Sequence, residues 1–106
     1  MDHPVIVLTT WPAGRDATAF AETLVAERLA ACVAVSAEMR STYRWKGTVE
    51  HEPERQLLIK TTEGRLRDLE SRLRALHPYE VPEFLVLLVT SGSDAYLAWL
   101  RESVAD

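Results

Sequence analysis

Val33-Ala34-Val35-Ser36-Ala37-Glu38-Met39-Arg40-Ser41-Thr42-Tyr43-Arg44-Trp45 alternates in chemistry at every second residue. A period of two is the mark of a β-strand, and it assigns Val33, Val35, Ala37, Met39, Ser41, Tyr43 and Trp45 to one face. Ala34, Ser36, Glu38, Arg40, Thr42, Arg44 and Lys46 take the other. Lys46-Gly47 then turns the chain, Gly47 being free to adopt a positive φ. The return strand runs from Thr48 to about Thr61, and Pro53 within it marks an edge, a bulge or a short loop. Gln56 to Thr61 is its buried half. The expected charge pattern across the hairpin sets Arg40, Arg44 and Lys46 against Glu50, Glu52 and Glu54 as cross-strand partners.

The flanking segments complete the fold. Pro4 to Thr10 is a continuous apolar, β-branched run, as a buried central strand would be. Asp16 is a good N-cap for a helix to Ala31, with Phe20, Leu24, Val25 and Leu29 on one face. Thr62 is placed to cap a second helix carrying a Leu66, Leu69, Leu73, Leu76 stripe. Its outer face holds the i,i+4 pairs Glu63/Arg67, Asp68/Arg72 and Glu70/Arg74. His77-Pro78 ends that helix. Phe84 to Thr90 reads as another central strand, and Ser93 caps a last helix with Tyr96, Leu97, Trp99 and Leu100. The order β-α-β-β-α-β plus a terminal helix is the split β-α-β sandwich, an α+β ferredoxin-like fold. Residues 1–106 are expected to form one domain.

The hairpin strands are long against the usual five or six or so residues. A four-stranded sheet cannot pair all of that ribbon, whose far end still carries Tyr43 and Trp45. Exposed strand with aromatic side chains invites aggregation unless it is covered. Pairing with another copy of the chain covers it, and a head-to-tail contact would close into a ring.

The composition narrows the function. The 106 residues carry 12 Lys+Arg against 16 Asp+Glu, a net charge of -4, which disfavours a non-specific nucleic-acid surface. No apolar run approaches the roughly 18 residues of a membrane span. No basic and then apolar leader opens the sequence, so a soluble cytoplasmic protein is expected. The single cysteine, Cys32, cannot form an intrachain disulfide. The densest chemistry lies in Leu76-His77-Pro78-Tyr79-Glu80-Val81-Pro82-Glu83, a connector stiffened by two prolines that holds an imidazole, a phenol and two carboxylates.

Four blocks taken in order resemble the CutA divalent-cation tolerance family: Glu27 to Val33, Tyr43 to Gly47, Leu58 to Thr62, and Leu76 to Glu83. Tyr96 to Leu100 is similar to that family's last helix. The resemblance covers essentially the whole chain. It implies a ferredoxin-like homotrimer related in architecture to PII signalling proteins, cytoplasmic in bacteria, with a role in tolerance of copper and other divalent metals. It also implies metal binding without catalysis. The number three comes from the resemblance alone.

Each candidate residue has a plainer reading beside the functional one. Cys32 is an inert buried thiol or a soft ligand for copper. His77 is a helix C-terminal imidazole favoured by the dipole, or a metal ligand in company with Glu80. Lys60, in a buried-looking strand, is either salt-bridged to Glu80 or Glu83 or a fixed cation for an anionic small molecule. Tyr43 and Trp45 are interface anchors that could also wall a ligand cleft, with Tyr79 and Glu83 beside them. Three functions follow: a metal-binding tolerance protein; a PII-like sensor for a small anion in a cleft between subunits; and an acylphosphatase-type enzyme. The last is disfavoured because Trp11 to Arg15 offers no glycine-rich cradle and no partnered nucleophile.

Overall fold

A computed structural model of the chain describes residues 2–106. Its elements are β1 (Pro4–Pro12), α1 (Thr18–Ala26), β2 (Cys32–Val35), β3 (Met39–Trp45), β4 (Thr48–Thr62), a 3-10 turn (Glu63–Arg65), α2 (Leu66–Leu76), β5 (Leu85–Leu88) and α3 (Asp94–Val104). The sheet is antiparallel in the order β2-β4-β1-β5, and β3 extends the β4 side as the second arm of a hairpin. This is the expected ferredoxin-like arrangement of an α+β fold.

Helices α1 and α2 pack on one face of the sheet. Phe20 and Leu24 of α1 and Leu69 and Leu73 of α2 meet Val7, Leu57 and Ile59 in one buried cluster. Residues paired across an antiparallel ladder share a face, so Val5, Val7, Thr9 and Trp11 of β1 point to the helices with Leu57, Ile59 and Thr61 of β4. Ile6, Leu8, Thr10, Gln56, Leu58 and Lys60 point the other way. Helix α3 lies across one end of that second face, where Leu100 and Val104 pack on Ala31.

The long alternating run is broken. β2 pairs Val35 with Leu57, while β3 pairs Met39 with Glu54, so four steps on one strand oppose three on the other. This is a β-bulge, and one extra residue moves every later side chain to the opposite face. Ser36 holds the bulge: its amide donates to the Gln56 carbonyl at 2.9 Å and its Oγ accepts the Gln56 amide at 2.8 Å. Val33 and Val35 therefore face the helices, but Met39, Ser41, Tyr43 and Trp45 face away, contrary to the single face expected of them.

The register also overturns the expected charge pairing. Glu50, Glu52 and Glu54 stand opposite Tyr43, Ser41 and Met39, whereas Arg40 and Arg44 stand opposite Pro53 and Val49 on the other face. Lys46 is in the turn, with φ of 49° at Lys46 and 82° at Gly47, the pair of positive values that a two-residue type I′ hairpin requires. Pro53 sits inside β4 without disrupting it. Its carbonyl accepts the Ala13 amide at 3.1 Å, so its nitrogen also faces that side, past the last β1 pair, and the β3 ladder loses no bond.

Four further expectations are corrected. Helix α1 stops at Ala26 instead of Ala31, because Arg28 takes a φ of 60° and the chain closes a Schellman motif. There the Leu29 amide donates to the Leu24 carbonyl and the Arg28 amide to that of Val25. The reversal drives Leu29 and Ala30 into the core. Thr62 makes no capping bond; the Gly64 amide is held instead by Asp2 Oδ1 at 3.0 Å. Phe84 to Thr90 yields only a four-residue strand, and β5 is at the sheet edge, its residues 42–63% exposed. Of the three i,i+4 pairs only Glu70–Arg74 forms, since Arg72 reaches across to Glu27.

Candidate functional site

The connector after α2 is fixed by its first residue. His77 Nδ1 accepts the Tyr79 amide at 3.0 Å, so the ring carries its proton on Nε2, which donates to the Thr10 carbonyl at 2.6 Å. Trp11 lies edge-on to the same ring, 4.9 Å between centroids, and Phe20 stacks on Trp11. Burial holds the His77 pKa below its ordinary value, although the Thr10 carbonyl and Glu54 favour the proton. The sequence places His77 where a helix dipole would favour the charged ring. The structure makes it a neutral structural tie with both nitrogens occupied, which removes it as a metal ligand.

Tyr79, so positioned, carries its hydroxyl to Glu54 Oε2 at 2.6 Å. Glu54 is 6% exposed. Burial, then the Glu54 hydrogen bond and charge, raises the Tyr79 pKa, so the phenol is protonated and donates. Further along, Glu83 Oε2 accepts from Gln56 Nε2 at 3.0 Å, and the same amide donates to the Thr9 carbonyl at 2.7 Å. Two side chains of β4 therefore moor the connector against the outward face of the sheet.

The result is a groove of about 740 Å³ between the connector and the β3–β4 ribbon. Tyr43 and Trp45 line it from β3, Glu54 and Gln56 from β4, and Tyr79, Glu80 and Glu83 from the connector. Five of the eight residues expected at a site meet here: Tyr43, Trp45, Tyr79, Glu80 and Glu83. The bulge is what brings the aromatics to this face. Partial burial, followed by Glu52, Glu54 and Glu50, raises the Tyr43 pKa, as a negatively charged wall should.

Cys32 and Lys60 lie elsewhere. They are opposite each other in the β2–β4 register. Four residues of strand separate Lys60 from Gln56 at the groove, about 13 Å at the usual rise. Lys60 Nζ donates to Tyr96 Oη at 3.2 Å and lies 5.4 Å from the centre of that ring. This contact, not a salt bridge to Glu80 or Glu83, is its partner, and it raises the Lys60 pKa. The groove thus lacks the cation expected to hold an anionic ligand. Cys32 is a half-buried free thiol at the start of β2. Among the described residues no three His, Cys, Asp or Glu side chains group closely enough to hold a metal ion. Cys32, His77 and Glu80 of one chain therefore do not form a common metal site.

Glu54 and Trp11 are not among the site residues expected from the sequence. The signal for Glu54 is the two-residue turn, which fixes Trp45 opposite Thr48 and hence Met39 opposite Glu54. Nothing local marks Trp11 as the support of His77.

Comparison with known proteins identifies the family and the fold. The family model described as CutA1 divalent ion tolerance protein matches residues 5–103. The chain is 46% identical over 98 residues to the divalent-cation tolerance protein CutA of Thermus thermophilus, covering 92% of this chain and 95% of that one. It is 39% identical over 99 residues to a CutA protein of Arabidopsis thaliana named chloroplastic, covering 93% of this chain and 54% of that longer one. The solved Cut A1 structure from Thermus thermophilus superposes with a TM-score of 0.92 at 44% identity, over 96% of this chain and 99% of that one. CutA1 from Oryza sativa gives 0.93 at 34% identity, over 99% and 96%. No helix among the described residues is long and apolar enough to cross a membrane.

Proposed function

We propose, for a chain that belongs to the CutA1 divalent ion tolerance family, a non-catalytic role as a homotrimeric divalent-cation tolerance protein. The observation that carries the assembly is a pair of uncovered β edges. β1 reaches only to Glu54, so Thr48 to Pro53 pairs with β3 alone, and a two-stranded ribbon is marginally stable by itself. β5 leaves its outer edge open with Leu85, Val86, Leu87 and Leu88 all exposed. Sister subunits would cover both. The tolerance role rests on the names of the relatives. If copper or another divalent ion binds directly, it takes donors from more than one subunit, with Cys32 as the soft ligand and Glu80 as the carboxylate. Calorimetric titration of the assembled protein with Cu(II) and Zn(II), and with Cu(I) under reducing conditions, tests this. Cys32→Ser and Glu80→Gln should each weaken binding at least tenfold, and unchanged binding in both variants contradicts the assignment.

A second reading is a small-molecule sensor of the PII-like kind, supported by the groove that gathers Tyr43, Trp45, Tyr79 and Glu83. Its volume lies in the range of roughly 300–1,000 Å³ typical of small-molecule sites. Stabilisation by metabolites in a thermal-shift screen, with no response to metals, would favour this reading over the first.

A further inference from the structure

Helix α3 is fastened differently from the other two helices. Of its 11 residues only Leu100 and Val104 are buried, and they meet Ala31 in a small cluster apart from the main core. No side chain of α3 enters the cluster that joins the sheet to α1 and α2. What seats α3 is a set of polar ties, most of them at its C-terminal end. Arg65 Nε donates to the Val104 carbonyl at 2.8 Å, and the same guanidinium pairs with the Asp106 carboxylate. Arg28 donates to the Ala105 carbonyl at 3.3 Å, and Arg101 of the helix itself donates to the Asp2 carbonyl at 2.9 Å. The last carbonyls of a helix have no partner within it, and a guanidinium placed there also answers the negative end of the helix dipole. Arg65 is the best shielded of these ties, with its side chain 18% exposed, whereas the Arg28 and Arg101 bonds lie at the surface.

A segment with little buried apolar surface, held by hydrogen bonds open to water, unfolds locally at a lower free energy than the core beneath it. Opening α3 removes no side chain from the main cluster, so the sheet, α1 and α2 keep their packing. It does break one contact at the other end of the helix, where Tyr96 Oη accepts from Lys60 Nζ at 3.2 Å. None of the ion pairs among the described residues involves Lys60, so Tyr96 is what occupies this ammonium. We infer that α3 is a separable strap: it opens as a unit while the rest of the chain stays folded, the Arg65 latch sets how often it opens, and opening frees the Lys60 ammonium. The strap needs neither a metal nor a small molecule and goes beyond both functional readings.

Deuterium exchange followed by mass spectrometry on the assembled protein tests it. Amides of α3 should exchange at least about tenfold faster than those of β1 and of Leu57 to Thr61. Arg65→Gln, which removes the charge of the latch, should speed α3 by about a further tenfold and leave β1 and inner β4 unchanged. Asp106→Ala alters a side chain that is 96% exposed and keeps the test open if Arg65→Gln misfolds; it should speed α3 several-fold. Acylation by a water-soluble amine-reactive ester reads the consequence. The two lysines of the chain are Lys46 and Lys60, and Lys46, exposed in the hairpin turn, is the internal standard. Labelling of Lys60 relative to Lys46 should rise several-fold in the latch variant that opens α3. An α3 that exchanges as slowly as β1 overturns the inference, whether the core or a sister subunit holds it down. So does a rise in neither variant, or a rise that α3 shares with β1 and inner β4. An unchanged labelling ratio while α3 opens overturns the release of Lys60.

Discussion

Strand β4 has two halves that live in different environments. From Arg55 to Thr62 it pairs with β1, and from Leu57 to Lys60 with β2 as well, and Leu57, Ile59 and Thr61 are fully buried beneath the helices. From Thr48 to Pro53 it has one neighbour, β3, and its residues are exposed or only partly buried. Glu54 is the joint between them, paired with both β1 and β3. The contrast separates a half held by the core from a half held by a single neighbouring strand. The inner half forms a core that one chain completes by itself. The outer half leaves one hydrogen-bonding edge open and its carboxylates beside the Tyr43 and Trp45 rings of β3.

The largest expected effect lies in the inner half. Leu73→Ala removes a fully buried side chain from the cluster of Phe20, Leu24 and Ile59 and should cost about 2–5 kcal/mol in urea denaturation. A loss under about 1 kcal/mol would mean that the helices are loosely seated.

His77 links the halves, and its signature is in the pH dependence. Its folded pKa is lowered by burial, so the unfolded chain takes up the proton first as pH falls. The stabilising contribution is complete above the unfolded value of about 6.5 and declines as pH falls from there towards the lower folded value. Stability should therefore drop between about pH 7 and 5 more steeply in the wild type than in His77→Gln. Equal slopes would show that His77 does not hold the connector as a neutral ring.

At the far tip of the ribbon, Gly47→Ala places a side chain at φ +82° in otherwise open space, so the cost is conformational alone. About 1 kcal/mol is expected, read from the denaturation midpoint. No change would show the turn to be free to adopt another form. The smallest effect belongs to the surface. Glu27→Ala removes an ion pair between side chains that are each about 40% exposed, and the slight loss should fade as salt is raised.

The inner half was the more legible in sequence. The β-branched run of β1, the Leu66, Leu69 and Leu73 spacing and the Ser93 cap all carry strong local signals, and Ser93 Oγ does accept the Tyr96 amide at 3.2 Å. Where expectation failed, a residue of ordinary type did something its type does not announce. Arg28 adopts a left-handed conformation usually given to glycine, and Ser36 fixes a bulge inside an apparently unbroken alternation. β5 is as apolar as a central strand yet lies at the sheet edge, a placement its composition does not announce. The acidic wall of the groove was readable, since a two-residue turn at Lys46-Gly47 dictates that Tyr43 faces Glu50.

Light scattering on the wild-type protein after size-exclusion chromatography, at low micromolar concentration, bears most directly on the incompleteness of the outer half. A particle with the mass of three chains is expected, persisting on dilution. A folded, soluble single chain at that concentration would contradict the account, because the open ribbon and the bare β5 edge would then need no sister subunit.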